Sequence, residues 1–277
     1  MKKNKLYRIK TGIIFALIVL IFVPTASAQT AQEPEREAPL LIAPGFGYSF
    51  GGYREETDSS INRYYTLPTY IIEMNINTAN FLHHINIGFL MGENSDTVAG
   101  HLQEKYNPYP YSSMNAGIEY ALGYRLWGDD TFPGYLGGNF RTDVLLITET
   151  LEIAKITAIL SLGLHATQRW YINSQHSLSL SLGIPLLAYA VRPPFPGVDE
   201  VFEKFIVDGN PLGILTTGGF GSVHNYWALF GNLRYKFQFT SLFALNAGLG
   251  FDLSRVNFPQ PRIDAVFRLR AGIAFTF

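Results

Sequence analysis

The chain has 277 residues, no cysteine, 26 glycines, 47% hydrophobic and 14% aromatic residues, and 21 Lys plus Arg against 22 Asp plus Glu. A net charge of −1 offers nucleic acid no basic surface, and the absence of cysteine removes disulfides and thiolate metal sites. Beyond the N-terminal segment, no apolar run reaches the roughly 18 residues of a membrane helix. The apolar residues must therefore be spread by alternation, as in an all-β domain.

The chain begins as a targeting peptide. Lys2, Lys3, Lys5, Arg8 and Lys10 form a basic head, Gly12 to Val23 an apolar core, and Ala26-Ser27-Ala28 a small-residue cleavage pattern. The apolar core is shorter than the roughly 20 residues of a good span, so cleavage near Ala28 is expected. Removal takes five basic and no acidic residues, leaving 16 basic against 22 acidic, a net of −6 over 249 residues. Residues 29–38 are polar, contain Pro34, and read as a flexible leader.

From Pro39 onward, ten segments alternate with period two, the signature of strands. They run Leu40–Tyr53, Arg63–Asn77, Asn80–Gly92, Tyr111–Trp127, Tyr135–Thr148, Lys155–Tyr171, His176–Val191, Val223–Phe239, Leu242–Val256 and from Ile263 to the end. In each, one face is apolar and reads as free of Asp, Glu, Lys and Arg; the other carries Gly, Ser, Asn and nearly all the charge. Alternation alone does not say which face points inward. The Gly, Ser and Ala content of the polar face, and the aromatic ends of the apolar one, favour an apolar exterior in lipid. Phe81, Tyr124, Trp127, Trp170, Phe239, Phe243 and Phe275 fall at one set of strand ends. Tyr48, Phe50, Phe89, Tyr111, Tyr189 and Trp227 fall at the other, giving two interfacial girdles.

The connections supply an independent test. Asn77–Ala79, Gly128–Gly134, Asn173–Gln175 and Thr240–Ser241 are mostly tight turns. Arg54–Asn62, Glu93–Pro110, Glu149–Ala154, Arg192–Ser222 and Asn257–Arg262 alternate with them and include the two longest loops. Short turns on one side and long loops on the other are the asymmetry of a transmembrane barrel. The predicted fold is all-β: a membrane-spanning antiparallel up-and-down barrel of about ten strands over residues 39–277, with both termini on the short-turn side. Val198, Val201, Phe202, Phe205 and Ile206 have helical spacing within the longest loop.

The last strand, Phe267 to Phe277, alternates strictly and ends on an aromatic residue. Arg270, Gly272, Phe275 and Phe277 resemble the C-terminal assembly signal of bacterial outer-membrane β-barrels. The resemblance, at superfamily level, implies residence in a Gram-negative outer membrane, contact with its lipid and lipopolysaccharide, and insertion by the barrel-assembly machinery through this strand. It implies no cofactor and no metal.

On the polar face, Glu73, Glu119, Asp143 and Asp252 stand against Arg125, Arg141, Arg169, Arg234, Lys236, Arg268 and Arg270. Counting from the periplasmic end places Glu119, Arg141, Asp143, His165, Arg234, Arg268 and Arg270 at similar depth, with Glu119, Arg141, Asp143 and His165 on consecutive strands and able to touch. With Glu73 they form a candidate lumen charge network. One reading is a structural ion network filling a narrow interior, since buried charges must neutralise one another. The other is a porin-like constriction on a solute path, with excess Arg favouring anions.

Two enzyme readings are weaker. Ser222 and His224 share a face at a strand end and resemble the Ser/His pair of outer-membrane lipid A deacylases, but in reversed order and without an acidic partner. Ten strands also resemble the omptin-type proteases, which carry acids and His at the outer rim; Asp96 and His101 lie in an external loop, but no acid pair matches. His83 and His84 face opposite ways and do not make a metal pair. The sequence therefore predicts a charge-filled outer-membrane barrel with a structural or interaction role; a narrow channel is the alternative, a lipid hydrolase the second.

Overall fold

The computed structural model describes residues 39–55, 63–94, 111–150, 153–191, 208, 213, 216, 218–257 and 261–277. The targeting peptide, the leader and the helical pattern of Val198 to Ile206 lie outside these residues, as do most of the long-loop positions.

Among the described residues there are eleven strands: β1 (Leu40–Glu55), β2 (Arg63–Asn77), β3 (Phe81–Asn94), β4 (Tyr111–Trp127), β5 (Gly134–Thr150), β6 (Ile153–Tyr171), β7 (His176–Val191), β8 (Gly219–Ser222), β9 (Tyr226–Gln238), β10 (Phe243–Val256) and β11 (Arg262–Thr276). Ten of them form a closed antiparallel up-and-down ring in the order β1-β2-β3-β4-β5-β6-β7-β9-β10-β11, with β11 returning to β1. Closure leaves no free sheet edge in the ring, the condition a sheet must meet in hydrocarbon. The extra strand, β8, falls in the stretch expected to be a loop.

Glycine allows the ring to close where β11 meets β1. Gly47 pairs with Arg270 and Gly45 with Gly272. A Cβ on Gly47 would lie 1.8 Å from the Leu269 carbonyl oxygen, and one on Gly272 would lie 2.3 Å from that of Pro44. The two strands approach too closely for any side chain at these points. The chain end is tied by hydrogen bonds from Phe277 N to Leu40 O (2.9 Å) and from Thr276 Oγ1 to Ser241 O (2.5 Å). These bonds hold a terminus that would otherwise fray.

Exposure alternates as the period-two pattern requires. On β11, Phe267, Leu269, Ile273 and Phe275 are exposed, whereas Val266, Ala274 and Thr276 are buried. Large apolar side chains cover the outside on every long strand, among them Ile72 at 51%, Leu162 at 55% and Leu249 at 53% exposure. In a water-soluble protein these would be buried, so the outer face is built for lipid. The aromatic rims are in place: Phe81 contacts Tyr124 (5.3 Å between centroids) and Phe243 contacts Phe275 (5.5 Å) at the periplasmic end, with Phe46, Tyr48 and Tyr70 clustered on β1 and β2.

The outward face is not free of charge. β1 extends past Tyr53, so Arg54 is a strand residue rather than a loop one, and Arg255 falls on the lipid side of β10.

The seventh strand holds a bulge that its sequence conceals. Pairing of β6 with β7 jumps from Gly163–Pro185 to Leu162–Leu187, leaving Leu186 as an extra residue. Leu186 (43% exposed) and Leu187 (58%) then both face outward. The inserted residue reverses the phase of the strand. Leu178 to Leu186 face lipid on even positions, and Leu187 and Tyr189 on odd ones. Above the bulge β7 pairs with β8 instead of β9, and Tyr189 packs on Phe220 (4.8 Å). The chain leaves β8 through a turn closed by Asn225 N donating to Ser222 O (2.9 Å) and starts β9 at Tyr226.

Candidate functional site

The inward positions of β1 from Ala43 to Gly51 are small, and charged side chains reach into the interior from β2, β5, β6, β9, β10 and β11. They form three levels of cross-lumen bridges. At the outer level, Arg141 on β5 donates Nε to Asp143 Oδ2 (2.5 Å) on its own strand. Its Nη1 and Nη2 cross the lumen to Asp252 Oδ1 and Oδ2 on β10 (3.0 and 2.8 Å). Arg268, from the neighbouring β11, also pairs with Asp252. The Arg141 guanidinium lies 4.8 Å from the Phe230 ring, so its remaining face is covered by an aromatic surface.

At the middle level, Glu73 on β2 pairs with Arg234 on β9 (3.1 Å) and with Arg270 on β11. At the periplasmic level, Arg169 on β6 donates Nη1 to Asn77 Oδ1 on β2 (3.0 Å). β5 and β10, β2 and β9, and β6 and β2 each stand four strands apart in a ring of ten. These bonds therefore cross the interior rather than follow the wall.

Between the levels lie small chambers. One of about 100 Å³, above the Arg141 layer, is lined by Tyr53, Leu67, Ile159, Tyr226 and Val256. One of about 90 Å³, below it, is lined by His84, Asn86, Glu119, His165, Asn232 and Arg270. A third, of about 30 Å³, sits beside Arg169, Arg234, Lys236 and Asn246. Arg141, Asp143, Asp252 and Arg268 line both of the first two and form the partition between them.

Sequence depth misjudged part of this arrangement. Glu119 is the direct cross-strand neighbour of Arg141, yet the guanidinium turns away from it to Asp143 and Asp252. His165 pairs in register with Gly137, and the residue opposite Arg141 is Ser161. His165 therefore sits four residues below the ion cluster, and its Nε2 is hydrogen-bonded to Thr167 Oγ1 (2.8 Å). Arg234 and Arg270 join Glu73 at a different level from Arg268. Barrel strands tilt and stagger, so equal counts from a turn do not mean equal heights. Asp252, which unites two arginines, and the Asn77–Arg169 bridge carried no local signal beyond their inward parity.

The other candidates resolve more simply. Ser222 ends β8 and His224 lies in the turn that follows, so the two do not share a strand face, and the His224 carbonyl accepts from Asn257 Nδ2 (3.2 Å). Asp96 and His101 lie outside the described residues. His83 faces outward, hydrogen-bonded to Tyr120 Oη (2.9 Å), and His84 faces inward to Asn75 Oδ1 (2.8 Å). Among the described residues no group of His, Asp and Glu is arranged to hold a metal ion. Near the outer rim, Asp264 is occupied by Arg262 (2.7 Å), which also covers the Tyr53 ring.

No family model and no curated protein sequence matches the chain. Its fold is similar to that of the outer-membrane protease OmpT of Escherichia coli, with a TM-score of 0.58 at 6% identity over 91% of this chain and 100% of that one. Lower similarity extends to the translocator domain of the autotransporter NalP of Neisseria meningitidis (TM-score 0.40, 9% identity, 99% of this chain and 97% of that one). Neisserial surface protein A gives a TM-score of 0.39 at 9% identity, over 88% and 100% of the two chains. At such identities the likeness is one of fold. With its closed ten-stranded ring, apolar exterior and aromatic rims, the chain has the fold of the bacterial outer-membrane β-barrels.

Proposed function

We propose that this barrel is a sealed membrane scaffold with a structural or interaction role, presenting its outer rim and loops, and is not an open pore. The observation that carries this reading is the set of three cross-lumen bridges. Arg141 to Asp252, Glu73 to Arg234 and Asn77 to Arg169 each cross the interior at a different height. The chambers between them, about 100, 90 and 30 Å³, suit a few waters, each of which occupies about 30 Å³ in the liquid. They do not suit a passing solute. The charge balance supports the same reading. Glu73, Glu119, Asp143 and Asp252 match Arg141, Arg234, Arg268 and Arg270 in number, so the upper two levels are balanced, and the remaining cations, Arg169 and Lys236, lie at the periplasmic chamber. The terminal strand, with Arg270, Gly272, Phe275 and Phe277, is the segment we assign to recognition by the barrel-assembly machinery, after removal of residues 1–28.

Single-channel recording in planar bilayers tests the scaffold reading. The native protein should show no reproducible open level. The double variant Arg268→Ala, Arg270→Ala takes one cation from each of the upper two bridge levels and should raise conductance. A stable open level in the native protein would overturn the sealed-lumen reading in favour of a narrow channel.

A further inference from the structure

Among the outward strand residues whose side-chain burial is described, Arg54 and Arg255 are the only Asp, Glu, Lys or Arg. They are not scattered. Arg54 on β1 pairs in register with Ile263 on β11, and Arg255 on β10 pairs with the same Ile263. The two arginines thus share one height, with a single residue between them. Adjacent strands are about 4.8 Å apart, so their Cα atoms stand roughly 10 Å from each other. Both are exposed. Arg255 donates its Nε to Asn257 Oδ1 (2.8 Å), which orients the guanidinium and leaves its terminal nitrogens to other partners. Among the described residues Arg54 has no ion-pair partner.

Their surroundings favour a lipid headgroup over a protein. Both arginines lie at the strand ends opposite the termini, the outer-leaflet end of the barrel. Trp227 stands beside Arg255 in register, at the interfacial depth an indole prefers. Beneath the arginines comes a row of Leu253, Ala265 and Gly52, and beneath that a row of Phe251, Phe267 and Phe50. Ala265 carries only a methyl group and Gly52 no side chain, so the row between the arginines and the phenylalanines is thinner than the rows around it. The arrangement is a pair of cations above an apolar bed whose first row is small at Ala265 and Gly52.

From this we infer that Arg54 and Arg255 bind the phosphates of a phosphorylated glycolipid of the outer leaflet, whose acyl chains lie over Ala265, Phe267 and Phe50. Guanidinium presents a planar fork that matches phosphate oxygens, and two forks flanking one isoleucine suit a headgroup with two phosphates. The inference rests on the outer-membrane assignment but not on whether the lumen conducts. A conducting lumen would leave it standing.

The test uses the full-length protein, refolded in neutral detergent and mixed in turn with diphosphorylated lipid A, dephosphorylated lipid A and phosphatidylglycerol. Bound lipid is counted by native mass spectrometry. The native protein should retain diphosphorylated lipid A above both other lipids. Arg54→Ala with Arg255→Ala should weaken that retention by about tenfold for each arginine removed. Arg54→Lys with Arg255→Lys should recover part of it, because the charge stays but the fork is lost. Equal retention of the dephosphorylated form by the native protein would overturn the proposal without any variant. So would unchanged binding by the folded alanine variant. Equal retention of phosphatidylglycerol would overturn the assignment to a glycolipid.

Discussion

Asp252→Asn changes one oxygen to nitrogen and is the most informative single perturbation of the lumen. Asp252 accepts two hydrogen bonds from Arg141 (3.0 and 2.8 Å) and also pairs with Arg268. The side chains of Asp252, Arg141 and Arg268 are 15%, 14% and 24% exposed, so solvent screens them only in part. The amide keeps the shape but loses the charge, and turns a donor toward two guanidiniums that are themselves only donors. Arg141 keeps Asp143; Arg268 loses the carboxylate it is paired with. Breaking a buried pair by removing one partner costs about 3–5 kcal/mol. The chambers on either side, about 100 and 90 Å³, admit water to the stranded cation, which places the expected loss near the lower end, about 3 kcal/mol. Denaturant unfolding in lipid vesicles, followed by tryptophan fluorescence, measures it. Bilayer conductance of the same variant should rise, because the bridge at the outer level opens. A stability change below about 1 kcal/mol together with a silent bilayer record would refute the reasoning, since such a value is that of an exposed pair.

The barrel seam gives a second expectation: Gly47→Val should abolish closure, seen as loss of the heat-modifiable compact form on gels, because even a Cβ there would lie 1.8 Å from the Leu269 carbonyl oxygen. Deleting Leu186 should remove the β7 bulge and leave Leu187 and Tyr189 facing lipid, because Leu187 then follows the inward Pro185 in regular alternation opposite Leu162. Accessibility labelling of Tyr189→Cys should be the same with and without the deletion, and an inward-facing label in the deletion variant would count against Leu186 being the inserted residue. Trp127→Phe should cost about 1 kcal/mol, the net worth of the bond from Trp127 Nε1 to Gln168 Oε1 (2.7 Å), measured by thermal unfolding. In the turn between β4 and β5, Asp129 Oδ1 accepts from the Thr131 hydroxyl (2.6 Å) and from the amides of Thr131 and Phe132 (2.9 and 3.0 Å). The Thr131 hydroxyl first, then the two amides, hold its carboxyl below the ordinary value of 3.8. Its contribution to turn order is therefore complete above that value and lost as pH falls through the lowered one. The protection of the Thr131 amide, measured against its intrinsic exchange rate at each pH, should fall on acidification in the native protein and show no such step in Asp129→Ala.

Fold and membrane side were legible because both depend on local chemistry. A strand turns alternate residues to opposite faces, so the apolar row ending in Phe275 and Phe277 declares a face without any partner. Short turns alternating with long loops set the up-and-down topology, and glycines such as Gly47 and Gly272 could be read as belonging to a crowded wall. The strand count followed from these features alone. Three details did not. The bulge at Leu186 is silent because leucine suits either face of its neighbours, and only the pairing with Gly163 and Leu162 exposes the extra residue. β8 is four residues long and gains its order from β7, not from its own pattern. The charge on Arg255 was hidden within an otherwise apolar face.

The sequence by itself determined which residues are inside: Glu73, Arg141, Asp143, Asp252, Arg268 and Arg270 share the inward parity whatever the registers of their strands. Only the tertiary structure decided who meets whom. Glu119 and Arg141 are neighbours yet do not bond, and Asp252 reaches a strand more than a hundred residues away. The physical reason is that pairing across a lumen depends on strand tilt, stagger and barrel diameter. These are properties of the closed ring that no single strand carries. The same holds for Arg54 and Arg255, two unremarkable basic residues in the sequence that closure of β11 between β10 and β1 brings to one height on the lipid-facing wall.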